Sequence, residues 1–346
     1  MTAAAPRPGI ATPRIGVIGC GAIARTFHIP SLVRHPELVP GMILVDRDLS
    51  RARTVAAEFG LTRTADNYAA ILGDVDAVVV TVPHQLHYRI SMDCLRAGKH
   101  VLCEKPLAES PTEARALIDA AAGAGVTLSV NHKRRLFPVS RRIKELVDAG
   151  AIGPLRHIEF LWGEEFDWPV QNGFYFGVGG APHGVLMDKG PHALDLICWW
   201  LGGKPDVLSC RDDSFGGGEA MMSLRLARGP CTVTAEFSFL SRYANTCTLE
   251  GERGRIAANL FEFSSFTLVS PGGERTVVKL ETPARSMDDF GPLMLDNFVS
   301  VLRGREAPLI PATDILDSVT LIDECYARRQ RYDMPWHDAW KRVIHD

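Results

Sequence analysis

The chain reads as an α/β protein: a doubly wound parallel sheet at the N-terminus, then an α+β domain with a mostly antiparallel, open sheet. Three observations predict this. Short β-rich runs alternate with helical stretches as far as Asn131, the pattern of a parallel sheet with crossover helices. Beyond Asn131, strand-like runs separated by Gly-rich punctuation take over. At 346 residues, a single core would be unusually large, so two domains are expected.

The elements follow in order. Arg14–Gly19 reads as a strand and Ala22–Arg34 as the helix after it. Met42–Asp46 is strand-like, and Ser50–Phe59 is an Ala- and Arg-rich helix. Ala77–Val82 is a continuous, Val-dominated run, as expected of a parallel strand covered on both faces. His100–Cys103 and Val126–Val130 repeat the theme around the Ala-rich helix Thr112–Ala122. Pro138 to Gly150 reads as one amphipathic helix, closed by Gly150 and Gly153-Pro154. Strands are then expected at Leu155–Trp162, Ala220–Leu226, Cys231–Phe239, Asn245–Glu250, Arg255–Asn259 and Phe266–Val269. Gly216–Gly218, Arg228–Pro230 and Pro271–Gly273 serve as hairpin loops. Helices are expected at His192–Leu201, Asp289–Leu302 and Ala312–Arg331. This divides the chain into a frayed, disordered tail (1–13), a first domain (14–132) and a second (133–346).

Composition narrows the function classes. Hydrophobic residues make up 46% and charged residues 23%, ordinary for a globular protein. Net charge is −3 with no strongly basic half, which disfavours a nucleic-acid partner. No apolar run is long enough to span a bilayer, and Met1–Pro13 lacks the apolar stretch of a signal peptide. The eight cysteines are scattered without a C-x-x-C pair; they read as buried free thiols in a reducing cytoplasm.

Three clusters carry chemistry. Gly19-Cys20-Gly21-Ala22-Ile23-Ala24 matches G-x-G-x-x-A at a strand-to-helix turn. Gly19 permits the turn, Gly21 lets backbone approach a pyrophosphate, and Ala24 allows close helix–strand packing. Asp46 lies 25 residues after Gly21, at the end of the next strand, where a carboxylate takes both ribose hydroxyls and repels a 2′-phosphate. That favours NAD; Arg47 beside it leaves NADP possible. Glu104-Lys105-Pro106 follows a strand at the edge where such sheets place their ligand crevice. A lysine there can orient or protonate a substrate oxygen, although a surface Glu-Lys pair before a proline turn would read the same. In Asp188-Lys189-Gly190-Pro191-His192-Ala193-Leu194-Asp195, a helix is expected to start near Pro191, with His192 in its first turn and Asp195 one turn on. A histidine flanked by carboxylates can take a proton near neutral pH. Asp/His/Asp can also be a metal facial set, but a cap and a hydrogen-bonded histidine is the commoner use, and no metal is expected.

Together these clusters resemble the Gfo/Idh/MocA oxidoreductase family, over nearly the whole chain from Arg14 to about Arg331. Further marks are Thr81-Val82-Pro83-His84 with His87, and Arg135 with Pro138. The resemblance implies a Rossmann dinucleotide-binding domain, with Lys105 as the catalytic lysine, His192 as the proton-transferring histidine and Asp188 as the acid beside it. Val82, Pro83 and His84 match the loop passing the nicotinamide ribose, with His84 standing where Asn is common. His87, Glu104 and Lys105 complete the cofactor-side set. The Lys105–Pro106 bond is expected to be cis, and the second domain's sheet to build a homodimer or homotetramer.

The expected reaction is hydride transfer between nicotinamide and a carbinol carbon. His192 would remove the hydroxyl proton, Asp188 would orient or tune it, and Lys105 would stabilise the oxyanion. A sugar, cyclic polyol or nucleotide-sugar is implied as substrate. Redox-neutral epimerisation or elimination, imine reduction and a non-catalytic sensing role stay open. The basic stretches His132-Lys133-Arg134-Arg135 and Arg141-Arg142-Lys144 could hold a phosphate or carboxylate or be surface cations; Arg135 is singled out because it occupies a motif position. Glu164, Glu165, Asp167, Trp168, Tyr175 and His183, in an irregular segment before Asp188, suit a polyhydroxylated ligand, although an ordinary loop would carry such residues too; Trp168 is expected as a substrate contact. Phe160, Trp162, Trp199 and Trp200 read as core or interface.

Overall fold

The structure, a computed structural model, describes residues 9–167, 184–214 and 218–333. Six short strands form the first sheet: β1 (Ile15–Ile18), β2 (Ile43–Val45), β3 (Thr64–Ala65), β4 (Ala77–Val80), β5 (His100–Cys103) and β6 (Leu128–Val130). All pairings are parallel, in the order β3-β2-β1-β4-β5-β6. Every residue of β1 and β4 is buried, the reason these strands read as unbroken apolar runs. The connecting helices are α1 (Ile29–Val33), α2 (Leu49–Glu58), α3 (Tyr68–Ile71), α4 (His87–Arg96) and α5 (Pro111–Ala124). Their ends follow local chemistry. Asp48 accepts the Ser50 and Arg51 N–H groups at the start of α2. Ser110 caps α5, and Gly125 closes it with a left-handed φ of 62°. The order reverses between β1 and β4, which opens a crevice at the carboxyl ends of both strands.

The second sheet has nine strands: β7 (Leu155–Gly163), β8 (Asp206–Asp212), β9 (Met221–Arg228), β10 (Cys231–Ser238), β11 (Thr246–Gly251), β12 (Gly254–Asn259), β13 (Ser265–Val269), β14 (Arg275–Lys279) and β15 (Gln330–Arg331). Their order is β14-β13-β12-β11-β7-β10-β9-β8-β15. The pairs β7–β10 and β8–β15 are parallel and the others antiparallel. Helices α6 (Pro138–Asp148), α7 (Val185–Leu201), α8 (Gly291–Leu302) and α9 (Leu316–Arg328) complete the fold. Inward residues alternate along β10, where Cys231, Val233, Ala235 and Phe237 join α7 in one core. All eight cysteines are buried and free. Among the described residues, no helix is long and apolar enough to cross a membrane.

Three expectations need correction. The tail does not stay loose as far as residue 13: Ile10 N–H donates to the Leu302 carbonyl at 2.8 Å, docking the chain from Gly9 onward. The stretch 133–346 is not one separate unit, because Met294, Leu295, Phe298, Val299 and Leu302 of α8 pack into the core of the first sheet. Helix α7 starts at Val185, more than a turn before Pro191, which lies inside it. Glu219 supplies that start: its carbonyl accepts Val185 N–H at 2.8 Å and its carboxylate accepts Leu186 N–H at 2.9 Å. The capping group comes from a distant part of the chain, so local sequence pointed to the proline instead.

Candidate active site

The turn after β1 is built for close approach. Gly19 has φ +99°, and a Cβ there would lie 2.7 Å from the Thr81 carbonyl oxygen. Only glycine lets the first helix's entry nest against the end of β4. Gly19 N–H bonds the Val45 carbonyl at 2.7 Å, so the turn also sits on β2. At the end of β2, Asp46 accepts the Cys20 N–H and the Asp48 N–H at 3.0 Å each. Arg51, not foreseen, covers the same carboxylate at 3.2 Å, while Arg47 is exposed. The carboxylate thus arrives braced on one side by backbone and on the other by a guanidinium.

From this turn a cleft of about 420 Å³ runs between the two sheets. Gly21, Ala22, Ile23, Val82, Pro83, His84 and His87 line one end, with Glu104 and Lys105 at the centre. Asp188 and His192 of α7 close the far wall. The helix that opens at Ala22 contains a π-turn over Ala24–His28. Its last residue, His28, places Nε2 2.6 Å from Glu104 Oε1. Asn131 donates to the same oxygen at 2.6 Å, and Lys105 N–H to the other at 3.1 Å. Burial alone would raise the Glu104 pKa; the His28 and Asn131 contacts and the Lys105 charge outweigh it and bring it down to about 2. His87 is fully buried, its ring nitrogens 2.6 Å from the Pro106 carbonyl and 2.8 Å from the Val82 carbonyl. It ties the Val82–His84 loop to the Lys105–Pro106 turn, whose bond is cis.

Lys105 Nζ lies 2.9 Å from both the Asp188 carbonyl and its carboxylate. The acid expected to orient His192 therefore grips the lysine instead, a correction with a plain cause: Asp188 is at the opening of α7 and faces the turn after β5. His192 has no partner at its buried Nδ1. Burial, reinforced by the charges of Lys105 and Arg134, holds its pKa well below the ordinary value. The imidazole is accordingly neutral at physiological pH.

Arg135 is not a cleft residue. It pairs two-pronged with Asp195, at 2.8 and 2.7 Å, and reaches the Asp314 carbonyl at 3.0 Å. Asp195 also meets His132 at 3.4 Å, so it turns away from His192 and no metal set forms; among the described residues no metal cluster exists. Arg134 lines the cleft in its place, with Lys133, Lys189 and Asn131. Lys133 and Arg134 belong to the basic stretch that the sequence leaves open as an anion site or as surface cations; Asn131 and Lys189 were not foreseen as contacts. Trp162, read as core, is buried yet floors the cleft, its ring 6.0 Å from that of His192. Glu164, Glu165 and Asp167 line the cleft. Arg142 and Lys144 lie on the surface of α6, paired with Glu145 and Asp148. Trp168, Tyr175 and His183 lie outside the described residues.

A family model described as an oxidoreductase family with an NAD-binding Rossmann fold matches residues 13–132, and one for the Gfo/Idh/MocA C-terminal domain matches residues 140–257. The chain belongs to the Gfo/Idh/MocA oxidoreductase family. A dTDP-3,4-didehydro-2,6-dideoxy-α-D-glucose 3-reductase of Streptomyces violaceoruber is 31% identical over 280 residues, 78% of each chain. A 1,5-anhydro-D-fructose reductase of Ensifer adhaerens is 31% identical over 248 residues, 67% of this chain and 71% of that one. A solved 3-ketoreductase of Actinomadura kijaniata, in complex with NADP and TDP-benzene, is 25% identical with a TM-score of 0.77, covering 94% of this chain and 100% of that one.

Within this Gfo/Idh/MocA protein, the first sheet is a Rossmann domain for a nicotinamide dinucleotide. The residues fit that group: the Gly19 turn leaves no room for a side chain, and the cleft runs unbroken from Gly21–Ile23 past Val82–His84 to Lys105. The helix N-terminus at Ala22 offers its dipole to a pyrophosphate.

Proposed function

We propose that the protein transfers a hydride reversibly between nicotinamide and the carbinol or ketone carbon of a sugar, cyclic polyol or nucleotide-sugar, with NAD preferred. What carries the reading is that Lys105 and His192, from different domains, line one cleft with the glycine turn. The bound dinucleotide supplies the hydride donor or acceptor. Gly21–Ile23 and Asp46 hold its pyrophosphate and ribose, and Val82–His84 its nicotinamide end. Asp188 takes two of the three N–H donors of Lys105, leaving one to polarise the substrate oxygen. Neutral His192 accepts the carbinol proton in oxidation; in reduction its imidazolium, acidified by the surrounding cations, returns it. Trp162 excludes water from the floor of the site. Preference for NAD is supported by the Asp46 carboxylate. Association through the outer face of the second sheet is supported by the exposed side chains of Leu208 and Val277.

The test is the absorbance of reduced nicotinamide on mixing purified protein with NAD or NADP and a panel of sugars, polyols and nucleotide-sugars, followed in both directions. Substrate-dependent change with at least one class is expected; conversion without any change in cofactor absorbance would rule the net reaction out.

A further inference from the structure

Arg134 differs from Lys105 and Lys189 of the cleft in that, among the described residues, no carboxylate pairs with it. Lys105 is matched by Asp188 and Lys189 by Glu164 at 3.2 Å, and outside the cleft the neighbouring Arg135 is matched by Asp195. Among the described residues Arg134 makes no ion pair, although it is only 6% exposed. The carboxylates whose charge reaches Arg134, Glu164 and Asp188, are engaged elsewhere. Glu164 accepts Trp162 Nε1–H at 2.8 Å as well as Lys189, and Asp188 is held by Lys105.

The guanidinium is also fixed. Its Cζ lies 4.1 Å from the centre of the Trp162 ring, and one terminal nitrogen donates to the Leu260 carbonyl at 2.8 Å. The other reaches only the Met287 sulfur at 3.9 Å. A guanidinium carries five N–H donors in a planar fork, so most of this one's capacity is unspent. Burial lowers its pKa to about 10, which leaves it charged at neutral pH. An unpaired buried cation is costly unless an anion answers it.

We propose that Arg134 is the subsite for a carboxylate on the substrate itself, so that the preferred substrates are hydroxy- or keto-sugar acids. This rests on the hydride-transfer reading above and narrows its substrate. Position supports it. Arg134 and His192 lie against the same indole, at 4.1 Å and 6.0 Å from its centre, and so within about 10 Å of each other. A carboxylate a few bonds from the reacting carbinol spans that gap. The planar fork matches a carboxylate in two-pronged geometry, which a lysine would not.

The experiment is calorimetric titration of the NAD-loaded protein with matched probes: D-glucuronate against D-glucose, D-gluconate against D-glucitol, and D-glycerate against glycerol. Inorganic phosphate is run as a competitor, and the series is repeated on Arg134→Met and Arg134→Lys. At least one acid is expected to bind roughly tenfold or more tightly than its neutral counterpart. That ratio is expected to fall to about one in Arg134→Met and to survive in part in Arg134→Lys. If no acid outperforms its counterpart, or if the preference persists in Arg134→Met, the subsite is wrong. Phosphate displacing the sugar acids at lower concentration than they themselves bind would overturn the carboxylate assignment. Acid preference without hydride exchange on any carbinol or ketone would instead sink the reaction reading and leave the subsite standing.

Discussion

His28 Nε2 lies 2.6 Å from Glu104 Oε1, so the helix that begins at the dinucleotide turn is tied directly to the residue preceding Lys105. The pair is buried, and Asn131 shares the same oxygen. Placement of the lysine thus rests on a hydrogen-bonded unit anchored to that helix, while the glycine turn itself is held by Val45 and Thr81. Glu104→Gln keeps the shape and removes the charge. It is expected to lower kcat by roughly tenfold while the dinucleotide Kd stays within about threefold, because the glycine turn is untouched. Initial rates and fluorescence titration of the cofactor check this; equal losses in both quantities would contradict it.

The same carboxylate gives stability a pH dependence. Its folded-state pKa is brought down to about 2, below the value of an unfolded glutamate, so its contribution is complete above the unfolded pKa. It is lost as pH falls through the window down to about 2. Denaturant midpoints measured across that window are expected to decline more steeply for wild type than for Glu104→Gln.

Lys105→Met should cost roughly 100-fold or more in kcat, the usual scale for losing a donor aimed at a developing oxyanion. Cofactor affinity should barely change, since the lysine's partners are both on Asp188. Stopped-flow rates with saturating cofactor separate the two effects.

His192 titrates below its ordinary range because it is buried and ringed by Lys105 and Arg134. As a base it must be neutral, and a lowered pKa extends the neutral form to lower pH. The kcat/KM for carbinol oxidation is therefore expected to stay level as pH falls through about 6.5 and to drop only below it. A fall centred at or above the ordinary histidine pKa would assign the proton transfer to another group.

Arg135→Ala is expected to act on folding rather than on specificity. It strands the buried Asp195 carboxylate, a change worth about 3–5 kcal/mol. Urea denaturation should show that loss, while KM for any accepted substrate stays within a few-fold of wild type.

These two arginines also show where the sequence stops being legible. Gly19 could be found from the chain alone, because its turn is demanded at a strand end whose position the apolar pattern reveals; Lys105 and His192 were legible only through their place in the family's motif order, since His192 lies inside α7 and not at its start. Which of two adjacent arginines faces the cleft depends on how the 133–136 turn is rotated against α7. Contacts made far along the chain decide it, with Asp195 across 60 residues and with the Asp314 carbonyl. The start of α7 was hidden for the same reason, since its capping group is Glu219. Strand β14 carries mostly exposed residues, so no apolar alternation announced it. Trp162 is buried and was read as core; that its ring also floors the cleft follows from the packing of β7 against α7.

Hydride transfer is tested most directly by following the hydrogen on the reacting carbon. A carbinol substrate deuterated at that carbon is incubated with the protein and NAD, and the cofactor is recovered for mass analysis. The account predicts one deuterium on the reduced nicotinamide in wild type, with the rate of its appearance falling sharply in Lys105→Met. Deuterium released to water, or retained on the product while the cofactor stays unlabelled, would contradict it.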